Sequence, residues 1–86
     1  MAWFVYVLEN ADGKRYVGST GRSPTIRLAE HNDGLNRWTR ANGPWRLVYP
    51  ETLPTKRDAL VREKFFKTGA GRRQRDELIE GSEHSA

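Results

Sequence analysis

The stretch VYVLENADGKRYVG, residues 5–18, constrains this chain more than any other. Trp3 to Leu8 is a continuous apolar run of aromatic and β-branched residues, the pattern of a central strand covered on both faces. Lys14 to Ser19 is a shorter, partly alternating strand. Between them, in Asn10-Ala11-Asp12-Gly13, Gly13 can take the left-handed conformation that closes a three-residue loop of Ala11, Asp12 and Gly13. If Asn10 then pairs with Lys14, Leu8 lies opposite Tyr16 and Tyr6 opposite Gly18. Both tyrosines share one face, and Gly18 leaves open space above Tyr6. A two-residue Asp12-Gly13 loop shifts the register by one and puts the tyrosines on opposite faces. The sequence allows both.

Downstream, Ser23-Pro24 is a strong helix start, Ser as N-cap and Pro at the first helical position, and Asn32-Asp33-Gly34 supplies the stop. The helix is expected over about Pro24 to Asp33. Leu35 to Pro44 is polar and turn-rich, and Trp45 to Tyr49 reads as a third strand that Pro50 limits. Thr55 with Asp58 resembles a capping box opening a helix to about Lys67. Thr68-Gly69-Ala70-Gly71 breaks that helix, and a last short one spans about Arg72 to Ile79. The element order is therefore ββαβαα. Residues 1–80 form one domain, and 81–86 are small and polar enough to be a flexible C-terminal tail.

At 86 residues there is room for one core shared among a few short elements. A hydrophobic share of 36% against 30% charged suits a folded α+β domain with a polar coat. The chain has no Cys, which excludes disulfides and Cys-based zinc sites and suits a reducing compartment. The longest apolar run, Ala2 to Leu8, is too short to span a membrane and lacks the flanks of a signal peptide. A cytoplasmic protein is expected, with nucleoid association an option. The net charge of +4, with basic residues recurring as KR, GR and RR pairs, favours a polyanionic partner.

On the Thr55 helix, Ala59, Leu60 and Phe66 form an apolar stripe with Glu63 in its middle, which points a carboxylate toward the core. Such a group needs an Arg or Lys, a set of hydrogen bonds, or a metal ion, and an Arg–Glu pair is the plain structural answer. On the Pro24 helix, Arg27 and His31 are four apart and share a face. Arg offers a fixed fork of donors to phosphate oxygens, and His titrates near physiological pH. An ordinary solvated helix face is the plain alternative there, and packing is the plain role of hairpin tyrosines.

Taken in order, these residues resemble the GIY-YIG nuclease domain, in its small standalone bacterial form. Phe4-Val5-Tyr6 stands at the first triplet and Tyr16-Val17-Gly18 at the second, followed by Arg27, Glu30-His31-Asn32 and Glu63. Arg37-Trp38-Thr39, Gly43 to Tyr49, Arg62-Glu63-Lys64 and Lys67-Thr68-Gly69 extend the similarity over about Trp3 to Ile79. The first triplet lacks its Gly and Ile, and no Asn follows Asn42, where many members carry a late one near the phosphate.

The resemblance implies a three-stranded antiparallel sheet flanked by helices, with the active site where the hairpin meets the Pro24 and Thr55 helices. It makes Glu63 the ligand of one Mg²⁺ or Mn²⁺ and Tyr6 the favoured general base, given nearby cationic charge to lower a phenol pKa that starts near 10. Arg27 would stabilise the transition state and Tyr16 would orient water or phosphate. His31 would be a phosphate donor or an alternative proton acceptor. Gly18 would clear room for the phosphate, and Lys14, Arg15, Arg37 and Arg40 would contact flanking phosphates. Arg72 and Arg73, in the basic Arg72 to Arg75 stretch, would add grip, and Trp38 would stack on a base or pack in the core.

The expected function is a metal-dependent endonuclease hydrolysing phosphodiester bonds in DNA, in repair or processing of structured or single-stranded DNA. A non-catalytic nucleic-acid-binding module and a purely structural α+β domain are the rivals. The expected partner is DNA, with RNA as the second polyanion and a protein partner supplying specificity. A monomer with no membrane association is expected.

Overall fold

The computed structural model describes residues 2–34 and 36–84. Strands β1 (Trp3–Asn10) and β2 (Arg15–Thr20) form the hairpin, and β3 (Trp45–Leu53) completes an antiparallel sheet in the order β2-β1-β3. β1 is central, and its Val5, Tyr6, Val7 and Leu8 are buried. The apolar run therefore means what it promised, a strand with no solvent face.

The hairpin takes the three-residue register. Leu8 lies opposite Tyr16 and Tyr6 opposite Gly18. Gly13 has φ +81°, and its N–H donates to the Asn10 carbonyl at 3.1 Å. Asn10 fixes the turn from inside: its buried Oδ1 accepts from the backbone N–H of Asp12 and of Lys14, at 3.1 and 2.8 Å. Its Nδ2 donates to the Asn42 carbonyl at 2.8 Å, tying the turn to the segment that leads into β3.

The sheet packs on both faces. Val5, Val7, Val17 and Val48 meet Ala59, Phe66 and Ile79 on one side, and Tyr6, Leu8 and Trp45 form a second cluster on the other. Helix α1 (Pro24–Asn32) starts where expected, with the Ser23 side chain accepting from Thr25 N. Helix α3 (Lys56–Phe66) likewise has Thr55 as cap, accepting from Asp58 N.

Four expectations need correcting. The turn-rich segment contains a short helix, α2 (Arg37–Asn42), capped by Asn36, so the order is ββααβαα. β3 runs past Pro50 to Leu53, because it is an edge strand and a proline without N–H breaks no ladder on its outer side. Leu60 leaves the apolar stripe, 47% exposed, while Ala59 and Phe66 are buried. Helix α4 (Gly69–His84) starts earlier and runs longer than expected, taking 81–84 into the helix, and 85–86 lie outside the described residues. Its early start brings Gly71 against the Phe65 carbonyl, where any β-carbon would overlap. No helix among the described residues is long and apolar enough to cross a membrane.

Gly18 sets the hairpin's inner clearance. A β-carbon there would stand 2.6 Å from Tyr6 Cζ, so the space expected to be open above Tyr6 is filled by the phenol itself. Gly18→Ala should therefore destabilise by overpacking, about 1–3 kcal/mol. Urea unfolding checks this, and an unchanged midpoint would show that the ring moves aside freely.

Candidate active site

Three elements meet at the Tyr6 hydroxyl. β1 carries Tyr6, α1 carries Arg27 and His31 one turn apart, and α2 supplies Thr39. Tyr6 Oη lies 2.9 Å from His31 Nε2, and His31 Nδ1 lies 3.2 Å from Thr39 Oγ1, with His31 and Thr39 fully buried.

The partners assign the protons. The Thr39 hydroxyl donates to the Asn36 side-chain and backbone oxygens, at 3.0 and 3.3 Å. Its oxygen is left to accept from Nδ1–H of His31, so Nε2 is bare and accepts the Tyr6 proton. The series runs Tyr6 to His31 to Thr39 to Asn36, each hydroxyl or N–H donating onward.

Electrostatics keep both central groups neutral. Burial pushes the Tyr6 phenol up from its ordinary range, with neighbouring Arg27 opposing and Tyr16 and Glu63 adding to the rise. Burial, then the Arg27 charge, holds the His31 imidazole below its usual 6.5. Of the cationic charge expected to lower the Tyr6 phenol pKa, the Arg27 part is outweighed by burial. His31 has both ring nitrogens hydrogen-bonded inside the protein, which leaves neither free to donate to a phosphate.

Arg27 is anchored at one end. Its Nη1 donates to Glu30 Oε1 at 3.2 Å, and Glu30 is gripped by Arg22 at 2.7 and 2.8 Å. Its Nε is buried and has no hydrogen-bond partner among the described residues. Tyr16 stands over His31, ring centroids 4.7 Å apart, and 6.5 Å from Tyr6. Trp38 stacks on Tyr16 at 6.0 Å and touches Trp45 at 5.4 Å.

Glu63 arrives differently from the expectation. Ser19 alternates with Gly18 on β2 and so faces α3, and its hydroxyl donates to Glu63 Oε1 at 2.5 Å. Lys67 donates to Oε2 at 2.9 Å. The carboxylate, 22% exposed in its side chain, thus sits at the free edge of β2 rather than in the core, and its partner is Lys67, not an Arg. Its charge reaches Tyr6, although no hydrogen bond joins it to Tyr6, Tyr16, Arg27 or His31 among the described residues.

These residues fit a divalent ion held mostly by water and substrate. No three His, Cys, Asp or Glu residues group together among the described residues, but one carboxylate plus phosphate oxygens is an ordinary Mg²⁺ arrangement. Lys67, 55% exposed, is the group that would have to leave Oε2.

The expected DNA contacts divide. Lys14, Arg37, Arg40, Arg72 and Arg73 are exposed. Arg15 is held by Glu9 and Asp76 at 2.8 and 2.5 Å. Gly18 is buried under Tyr6 and offers no access. Trp38 is 46% exposed, between the two roles expected of it. Arg15, Tyr16, Trp38 and Arg72 line one cleft of about 380 Å³, together with Asn36, Lys67 and Arg75. In the sequence Lys67 stands out only as a helix end and in the Lys67-Thr68-Gly69 match, and Arg75 only within a basic stretch. The three-residue spacing of Arg72 and Arg75 is the signal that would have paired them, once α4 is known to start at Gly69.

A three-stranded sheet whose central strand offers a buried tyrosine to a helical Arg–His pair, with a helical glutamate at the sheet edge, defines a class of small α+β domain. The chain belongs to the GIY-YIG family: the GIY-YIG catalytic domain matches residues 2–75. It is similar to a UPF0213 protein of Desulfotalea psychrophila, 39% identical over 84 residues, covering 95% of this chain and 74% of that one. A UPF0213 protein of Bacillus pumilus is 42% identical over 78 residues, covering 90% and 78%. The solution NMR structure of the UPF0213 protein BH0048 from Bacillus halodurans is similar with a TM-score of 0.55 and 33% identity, covering 91% of this chain and 85% of that one.

The depressed His31 makes folding sensitive to acid. Below 6.5 the unfolded chain takes up a proton that the native imidazole refuses until a lower pH, so this stability is present above 6.5 and falls away as pH drops. Between about pH 8 and about pH 5, Tm should fall more steeply in the wild type than in His31→Gln. Equal slopes would show that His31 is not held neutral.

Proposed function

We propose that this protein is a divalent-metal-dependent endonuclease that hydrolyses phosphodiester bonds in DNA. One observation carries the reading: the buried Tyr6–His31 hydrogen bond lies beside Arg27 and within the field of Glu63. Membership of the GIY-YIG family supports it.

Hydrolysis needs a proton acceptor for water and positive charge for the phosphorane-like transition state. Tyr6 Oη takes a proton from water as its own proton passes to His31 Nε2, so no free phenolate forms. Nδ1–H stays on Thr39 and steadies the resulting imidazolium. The water oxygen bonds to phosphorus, the bond to the leaving sugar oxygen breaks, and that oxygen takes a proton from solvent. Arg27 compensates the added negative charge, and Tyr16 limits the space in which water approaches. Glu63 would hold the divalent ion, whose chemistry when bound is charge stabilisation at the phosphate and leaving oxygens.

Supercoiled, branched and single-stranded DNA with Mg²⁺ or Mn²⁺ should each be assayed for cleavage. Tyr6→Phe is expected to lower the rate by about 10²–10⁴-fold, and Glu63→Gln to abolish it with unchanged circular dichroism. Full activity in Glu63→Gln would sink the metal role. The second reading is a non-catalytic DNA-binding module, favoured by Lys67 sitting on Glu63 Oε2. Salt-sensitive binding without cleavage of any substrate would select it.

A further inference from the structure

We infer that the cleft beside Tyr16 and Trp38 binds one unpaired nucleotide of DNA, its base stacked on Trp38 and its phosphate held by Arg72. This deepens the nuclease reading and rests on DNA being the partner.

The lining has a definite chemistry. Arg15, Lys67, Arg72 and Arg75 supply four cations, Tyr16 and Trp38 supply aromatic surface, and no carboxylate lines the cleft. Three of the cations are already engaged: Arg15 by Glu9 and Asp76, Arg75 by Asp76, and Lys67 by Glu63. Arg72 has no ion pair among the described residues, so its guanidinium is the charge left for an incoming anion. Trp38, stacked on Tyr16 and touching Trp45, still leaves 46% of its surface open. A large, held and half-exposed indole among cations is the combination that takes a base and its phosphate together.

The size and walls favour an unpaired base. A cleft of about 380 Å³ falls at the small-molecule end of the range. In a duplex both faces of each base are covered by its neighbours, so stacking on Trp38 requires a nucleotide out of the helix or in a single strand. Asn36 completes the lining: its Oδ1 is spent on Thr39, leaving Nδ2 to reach an acceptor on the base edge. Tyr16 lines the cleft, and its ring also lies 4.7 Å from that of His31, tilted by 58°, which sets the held nucleotide next to the reacting phosphate.

The test is fluorescence anisotropy of a labelled dodecamer, single-stranded and as its duplex, with the metal-free protein so that nothing is cleaved. The single strand should bind more tightly. Trp38→Ala should weaken single-strand binding by about 5- to 100-fold and duplex binding by less than about 2-fold. Trp38→Phe, which keeps an aromatic face and the packing against Tyr16, should retain most of the affinity, and Arg72→Gln should weaken the single strand and flatten its salt dependence. The inference is overturned if Trp38→Ala and Arg72→Gln both bind the single strand as the wild type does, or if duplex binding falls equally. It survives if Trp38-dependent binding is seen without cleavage, an outcome that defeats the nuclease reading alone. Cleavage with no dependence of binding on Trp38 or Arg72 defeats the subsite alone.

Discussion

The hydrogen bond from Tyr6 to His31 is the interaction on which the rest of the domain depends. Both groups are buried, and a buried polar group left without a partner costs about 1–3 kcal/mol. The fold avoids that cost by passing the obligation along: Tyr6 to His31, His31 to Thr39, Thr39 to Asn36. Each step leads to a new element, from β1 to α1 and then to α2 and its cap. A six-residue helix such as α2 has no stability of its own. It persists because Thr39 closes this series, because the Trp45 indole N–H donates to the Thr39 carbonyl at 2.7 Å, and because Asn10 reaches the Asn42 carbonyl. The atoms that order the helix are the atoms that hold His31 in place.

The two faces of the sheet divide the labour. The face of Tyr6 and Leu8 holds the tyrosine, histidine and tryptophan cluster under α1 and α2. The other face is an aliphatic and phenylalanine core under α3 and α4. Glu63 belongs to the second layer, where Ser19 of edge strand β2 holds it, and only its charge reaches Tyr6 on the first. Strand alternation makes this possible: Gly18 must be bare because Tyr6 fills the space over it, and its neighbour Ser19 then points to the helix that carries the carboxylate. A one-residue slip in the hairpin would exchange those two positions and undo both arrangements.

Much of this was legible in the chain, for definable reasons. Gly13 narrowed the hairpin to two registers, between which only the pairing in the fold decides, whereas the starts of α1 and α3 followed from Ser23-Pro24 and Thr55, since cap chemistry is local. Tyr6, Arg27, His31 and Glu63 were visible as a spaced set. What was not legible depends on rotation and neighbours. Helix α2 has no apolar periodicity to announce it. Pro50 reads as a strand end unless β3 is known to be an edge. The stripe of α3 suggested an inward Leu60 and Glu63, yet Ala59 and Phe66, with Phe65 partly buried beside them, make the core contact. Arg62 lies 4.3 Å over the Phe66 ring and takes up surface an aliphatic side chain would have covered. The cleft was missed because its cations come from β2, the end of α3 and the start of α4, which nothing in the sequence brings together.

Arg27 gives this geometry a way to respond to substrate. Its charge acts against the neutral phenol and against the imidazolium at once, since a nearby cation favours a phenolate and disfavours a protonated ring. In the free protein burial first, and then this charge, hold His31 neutral, with its Nε2 open to the Tyr6 proton. A phosphodiester beside Arg27 brings the countercharge that the guanidinium has only in part from Glu30. In the proposed reaction, with that charge offset, the Arg27 part of the penalty on the imidazolium falls while the burial part stays, so His31 gains basicity when an anion is in place. In the proposed reaction the cation that helps keep His31 neutral in the free protein thus ties the use of His31 as proton acceptor to bound substrate. That condition follows from placing arginine and histidine one helical turn apart, facing a buried tyrosine.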